Sequence, residues 1–167
     1  MTSNWQTLAE NATAWARARV GATTYATRCL AFVEDAIERG NGIEIFGGDY
    51  AAESARVYGV GPSDEAPPFG ALVFYDSVGE LHGVRQDWGH VGLSVGDGIV
   101  IHAWDRVRID GYLEVESLTP APGWERASLI GWAPLSRVLE GSCPKSYGSD
   151  DPAVTAAEMQ NSRFAQH

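Results

Sequence analysis

The spacing of apolar residues changes once along this chain, near Pro67-Pro68, and that change limits the fold classes open to it. Before it, apolar residues recur every three or four positions, which is typical of helices. From Gly70 onward, short apolar runs are separated by turn residues, which is typical of strands. Helices followed by strands, instead of alternating with them, predict an α+β fold in which N-terminal helices pack on a central antiparallel β-sheet.

Three helices are predicted before this point. The first starts at a capping box, Ser3 with Gln6, and ends at Gly21, and the third runs from about Asp49 to Tyr58. In the second helix, the apolar residues of one face fall at i, i+3, i+4, i+7 and i+8. These residues are Cys29, Phe32, Val33, Ala36 and Ile37. Its predicted ends are Thr27 as N-cap and Gly40 just past the last turn, which places Cys29 in the first turn.

The later part of the chain is predicted to form strands at residues 71–75, 91–95, 99–103, 106–109, 113–115 and 128–132. Gly96-Asp97-Gly98 predicts a tight hairpin between the second and third of these. The sequence turns polar after Gly141, and Asp151-Pro152 predicts the start of a helix that ends near Phe164. We therefore expect a single catalytic domain over residues 1–141 and a polar, partly helical extension over residues 142–167.

Charge argues against two classes of partner. Twelve basic residues face 22 acidic ones, for a net charge of −10, so the surface repels nucleic acid and anionic membranes. No apolar run is long enough to span a bilayer. The residues after Met1 show no basic flank before an apolar segment, so no secretory signal peptide is expected and the localisation stays open. We expect no nucleic-acid or membrane partner.

Cys29 has two interpretations. Cysteines at helical spacing are most often small core residues. However, a thiol in the first turn of a helix lies at the positive end of the macrodipole, which predicts a pKa below about 8.5, and the charge of Arg28 would add to this effect. Together with Cys143, it makes too few cysteines for a disulfide scaffold or a thiolate metal cage, although the two could pair once.

Two histidines are predicted to share one face of the hairpin. Pairing around Gly96-Asp97-Gly98 places positions that sum to about 194 opposite each other, so His102 lies near Gly92 and His90 near Trp104. Glycine between the imidazoles leaves room for both rings. A metal site is not predicted, because no third ligand occurs at a suitable spacing. Trp88 and Trp104, which flank the histidines, are either core residues or a stacking platform for substrate.

A cysteine at a helix start, a histidine on a strand and a polar residue on the next strand form a papain-type arrangement for thiol catalysis. In it, Cys29 attacks a carbonyl, His90 holds the proton and returns it to the leaving amine, and His102 fixes the tautomer of His90. The backbone N–H of Cys29, at the helix N-terminus, is a ready oxyanion donor. We expect no cofactor.

The chain resembles the NlpC/P60 cysteine peptidases, which are papain-like, from about Tyr25 to Leu135. The segments that carry the resemblance are, in order, residues 27–33, 70–75, 89–93, 98–103 and 128–132. The resemblance implies a papain-like α+β fold and hydrolysis of the peptidoglycan stem peptide, typically between γ-D-glutamate and a diamino acid. It assigns Cys29 as nucleophile, His90 as base and His102 as orienting residue, and it matches Tyr25 to a tyrosine beside the thiol.

The residues around Cys29 differ from the usual family pattern. The family has an acidic residue before the cysteine and Ser-Gly after it, where this chain has Arg28, Leu30 and Ala31. These positions shape the substrate pocket of the family, so the substrate preference is open. Three functions therefore stay in view: a wall-peptide endopeptidase, a catalytically silent binding module, and a CHAP-like amidase or deamidase-type acyl-transfer enzyme on the same scaffold.

Overall fold

A computed structural model describes residues 4–148. The helices are α1 (Asn4–Arg17), α2 (Cys29–Asn41), α3 (Ala51–Val57) and α4 (Leu135–Val138), with a 3₁₀ turn at Glu114–Ser117. The strands are β1 (Ile43–Glu44), β2 (Leu72–Asp76), β3 (Val78–Leu81), β4 (Val84–Asp87), β5 (His90–Ser94), β6 (Ile99–Ala103), β7 (Val107–Gly111), β8 (Ser128–Ala133) and β9 (Cys143–Pro144). Within this part of the chain, no helix has both the length and the apolar character needed to cross a membrane.

The centre of the molecule is a five-stranded antiparallel sheet in the order β7-β6-β5-β2-β8. α1 packs on α2, and α2 packs on β5 and β6. The main apolar core lies between these helices and the sheet, and it contains Phe32, Ile37, Phe74, Val91 and Ile101, all fully buried. The predicted α+β class, with N-terminal helices on an antiparallel sheet, is confirmed.

The C-terminal end of α2 differs from the prediction. Gly42, with a φ of +64°, adopts the left-handed conformation that ends the helix, and Gly40 lies inside the last turn. A Cβ atom on Gly40 would lie 3.0 Å from the carbonyl oxygen of Asn11, in α1. The prediction of Gly40 as the terminating residue is therefore wrong, because this glycine permits the close approach of α1 to α2.

The N-terminal end of α2 is also different. Arg28 is the N-cap residue and makes no side-chain capping bond, while Thr27 has a φ of +64°. The prediction of Thr27 as N-cap is wrong because the Arg28 N–H donates to the carbonyl of Tyr25 (2.7 Å), which closes a tight turn just before the helix. A β-branched residue in this region is strained, and such strain is concentrated at functional sites.

Three further differences concern the strands. Residues 113–115, predicted as a strand, enter the 3₁₀ turn, in which Val115 is buried and the preceding Leu113 is exposed. The β3–β4 hairpin and the short β1–β9 pairing were not predicted. The capping residue Ser3 and the helix predicted at 151–164 lie outside the described residues.

Candidate active site

A cavity of about 290 Å³ lies where the start of α2 faces the start of β5 and the end of β6. Cys29, Arg28, His90, Trp88 and Trp104 all line it. Most of the remaining wall is apolar and comes from other elements, including Leu81 at the end of β3 and the loop residues Pro120, Ala121 and Trp124. The structure thus brings the predicted nucleophile and the predicted base to one cavity, although they are far apart in the sequence.

The thiol of Cys29 is not activated in the resting protein. Burial raises its pKa to about 11, and the backbone amides of Val91 and Leu30, which face the sulfur, offset this only in part. The predicted lowering of the pKa is therefore wrong, because desolvation of the thiolate outweighs the favourable field of the helix N-terminus. At neutral pH the sulfur therefore carries its proton.

His90 and His102 form a direct pair. His90 Nε2 lies 2.8 Å from His102 Nδ1, and the two rings meet edge to face. The pairing of Leu93 with Ile101 confirms the predicted register. Gly92 is needed for this approach, since a Cβ there would lie 3.2 Å from the Cβ of His102. The predicted position of His90 beside Trp104 is confirmed by ring centroids 5.0 Å apart.

Asp110 extends this pair on the side away from the cysteine. Its Oδ2 accepts a hydrogen bond of 2.8 Å from His102 Nε2 and another of 2.7 Å from Arg108 Nε. Sequence analysis missed both residues because it stopped at β6. Pairing β6 with β7 places Arg108 opposite His102 and Asp110 opposite Val100, so the alternation rule applied to the first hairpin could have placed Asp110 on the histidine face.

Both imidazoles are neutral at physiological pH. Burial lowers the pKa of His90 well below its ordinary value of 6.5, and the adjacent His102 lowers it further. Burial also lowers the pKa of His102, although the hydrogen bond and charge of Asp110 oppose the shift. A neutral imidazole carries one N–H and one lone pair, so His90 can accept a proton at one nitrogen.

The other predicted substrate-binding residues fall into two groups. Arg28, Trp88 and Trp104 line the cavity, with the indole of Trp88 held by the carbonyl oxygens of Gly79 and Val84. Tyr25 is fully buried, and its hydroxyl donates to Asp35 Oδ2 at 2.5 Å. The structure does not bring Tyr25 to the cavity, because α2 holds its hydroxyl within the core.

Arg28 has an unusual feature for a cavity residue. Its Nε is buried and has no hydrogen-bond partner among the residues that the structure describes. Buried donors are normally satisfied, so this nitrogen is an exception that, among the described side chains, only the hydroxyl of Thr13 shares.

Two further features of residues 4–148 bear on the chemistry of the site: the state of the two cysteines and the presence of side chains that could bind a metal. Cys29 and Cys143 are both free thiols, and Cys143 is exposed in β9. Within this range, no group of three or more His, Cys, Asp or Glu side chains could hold a metal ion. The site combines one thiol with the hydrogen-bonded chain from His90 to Arg108.

No known family model matches this chain, and no curated protein matches it significantly.

Proposed function

We propose that this protein is a cysteine peptidase of the NlpC/P60 type with a papain-like fold, which hydrolyses an amide bond in bacterial cell-wall peptides. The observation that carries the proposal is the meeting of Cys29 with His90 in one cavity, where His90 Nε2 is held by His102. This arrangement leaves the other ring nitrogen of His90, Nδ1, to exchange a proton with the thiol. Its chain order, one cysteine followed by two histidines, is the order expected from the sequence.

The protonation states support general-base catalysis. As the sulfur of Cys29 attacks the carbonyl carbon, its proton moves to His90 Nδ1 and the carbonyl π electrons move to oxygen. The N–H groups of Cys29 and Leu30 precede the first hydrogen bond of α2, from Phe32 N–H to the carbonyl of Arg28. At rest both act on the sulfur, and in the tetrahedral intermediate we expect them to donate to the oxyanion. The C–N bond then breaks, and His90 protonates the leaving amine. Water, deprotonated by His90, releases the acyl group and restores the thiol.

Arg28 supports a glutamyl substrate. A glutamate linked through its γ-carboxyl retains a free α-carboxylate close to the scissile bond. Arg28 lines the same cavity as Cys29, and its buried Nε has no hydrogen-bond partner among residues 4–148. Arginine binds carboxylates with good geometry, and the lining is mostly apolar although Asp105 and Glu125 also border the cavity. The scissile bond that we propose is therefore the one between γ-D-glutamate and a diamino acid.

The decisive experiment is product analysis. Incubation of purified peptidoglycan with the protein should leave γ-D-glutamate as the last residue of the glycan-linked part of the stem. It should release peptides whose new amino terminus is the diamino acid, which mass spectrometry identifies. Cys29→Ala should reduce turnover by at least about a thousandfold while leaving the circular dichroism spectrum unchanged. Cys143→Ser is the matched control, because that thiol is exposed in β9, and it should retain full activity.

The same experiment separates the alternatives. Turnover that survives in Cys29→Ala would refute a thiol mechanism. Deamidation of glutamine-containing proteins, with no release from peptidoglycan, would indicate the acyl-transfer alternative. Binding of peptidoglycan fragments without any product would indicate the silent module.

A further inference from the structure

The hydrogen-bond chain at the active site continues past the two histidines, and its far end is a carboxylate. His102 is fully buried, and its Nδ1 and Nε2 contact His90 and Asp110, each at 2.8 Å. Arg108 also binds the carboxylate of Asp110. Its Nε donates to Oδ2 at 2.7 Å, and its Nη2 donates to Oδ1 at 3.3 Å. No group in this chain has freedom to turn without breaking a bond.

We propose that Asp110 is a positioning residue that sets the tautomers of both imidazoles and so makes Nδ1 of His90 the basic nitrogen. The inference rests on the proposed function for its catalytic meaning. The proposal states which nitrogen of each imidazole carries the proton, and this can be measured without substrate.

The argument follows the protons along the chain. A carboxylate paired with a guanidinium only accepts hydrogen bonds, so His102 must carry its proton on Nε2. A neutral His102 then has a lone pair on Nδ1, which can only accept. His90 must therefore donate from Nε2, and its own lone pair lies on Nδ1, the remaining nitrogen. Asp110 thus determines, through His102, which nitrogen of His90 is basic.

The opposite arrangement would be inactive. Without an acceptor at Asp110, His102 can carry its proton on Nδ1 and donate to His90 Nε2 with equal geometry. His90 would then carry its proton on Nδ1, and no lone pair would be available for the thiol of Cys29. A carboxylate that removes this second state raises the fraction of protein able to react, which changes kcat and leaves substrate binding unaffected.

The test combines imidazole ¹⁵N NMR of the protein without substrate with kinetics on a γ-D-glutamyl-diamino acid peptide. In the wild-type protein, the spectrum should show protonated Nε2 and unprotonated Nδ1 on both rings. Asp110→Ala should mix the two tautomers and lower kcat about a hundredfold with little change in KM. Asp110→Asn keeps one acceptor oxygen but turns the other into an NH₂ that faces a donor of Arg108 or His102, so it should restore the wild-type tautomers and the activity only in part.

Asp97→Asn is the matched control, because it removes the same charge from the exposed turn between β5 and β6 and should change neither spectrum nor rate. A wild-type protein with its proton on Nδ1 of His90, or unchanged tautomers in Asp110→Ala, would overturn the proposal. The wild-type spectrum decides even if Asp110→Ala does not fold. Absence of peptide hydrolysis with the expected spectra would refute the proposed function alone.

Discussion

The two sides of the cavity differ in how far their polar groups are hydrogen-bonded within the protein. On the base side, His90, His102, Asp110 and Arg108 form a continuous chain of hydrogen bonds. On the side of Cys29, the backbone amides of Val91 and Leu30 face the sulfur, and the Nε of Arg28 has no partner among residues 4–148. The imidazole side is thus fixed by hydrogen bonds within the protein, whereas the side of Cys29 and Arg28 has fewer polar partners. The preorganised part of the site is the pair of imidazoles, for which the direction of proton movement matters.

The largest expected effect comes from removing the base. Because the thiol is protonated at rest, His90→Gln should lower kcat by at least about a thousandfold, nearly as much as Cys29→Ala. The double variant should be no slower than either single variant, since the two residues act in one step. His82→Gln, in the exposed β3–β4 turn, is the control. A His90 variant with substantial activity would show that the thiol is activated by its own surroundings.

The contrast predicts a slow reaction of the free enzyme with iodoacetamide. Burial raises the pKa of Cys29 from 9.0 to about 11, which leaves about a hundredfold less thiolate at pH 7. Alkylation followed by peptide mass spectrometry should therefore label the exposed Cys143 first, and labelling of Cys29 should rise steadily up to about pH 11. Faster labelling of Cys29 below pH 8 would indicate a preformed thiolate–imidazolium pair, and the two sides of the cavity would then be equally activated.

The smallest expected effect concerns Arg28. If the substrate supplies its missing partner, Arg28→Gln should raise KM about tenfold, with kcat changed much less. Added salt should weaken binding to the wild-type protein more than binding to the variant. Arg17→Gln, at the exposed end of α1, is the matched control. An unchanged KM would mean that the guanidinium does not contact the substrate.

The sequence predicted the positions of Cys29, His90 and His102 because regular periods control them. Helical spacing places Cys29 at the start of α2, and the turn at Gly96-Asp97-Gly98 fixes the register of β5 and β6. It failed on the pKa of Cys29 because burial depends on what packs around the thiol. A local sequence pattern does not show which strands from the other half of the chain pack around the sulfur and remove water from it.

The ends of α2 and the β3–β4 hairpin were not predictable from composition. Thr27 is a common N-cap residue type, but the turn closed by Arg28 N–H and the carbonyl of Tyr25 places it one residue too early. β3 and β4 carry few apolar residues, so they lack the alternation that identifies a strand. The consecutive positive φ angles of His82 and Gly83 match a two-residue hairpin turn, which His-Gly signals only weakly.

The β6–β7 hairpin has a consequence for how activity appears during folding. His102, Arg108 and Asp110 all belong to this one hairpin, so their contacts are local, and hairpins of this kind form in about 1–10 μs. Cys29 joins only when α2 docks on β5 and β6, a long-range step that is slower. We therefore expect the hydrogen bonds among His102, Arg108 and Asp110 to form during folding before Cys29 reaches the cavity.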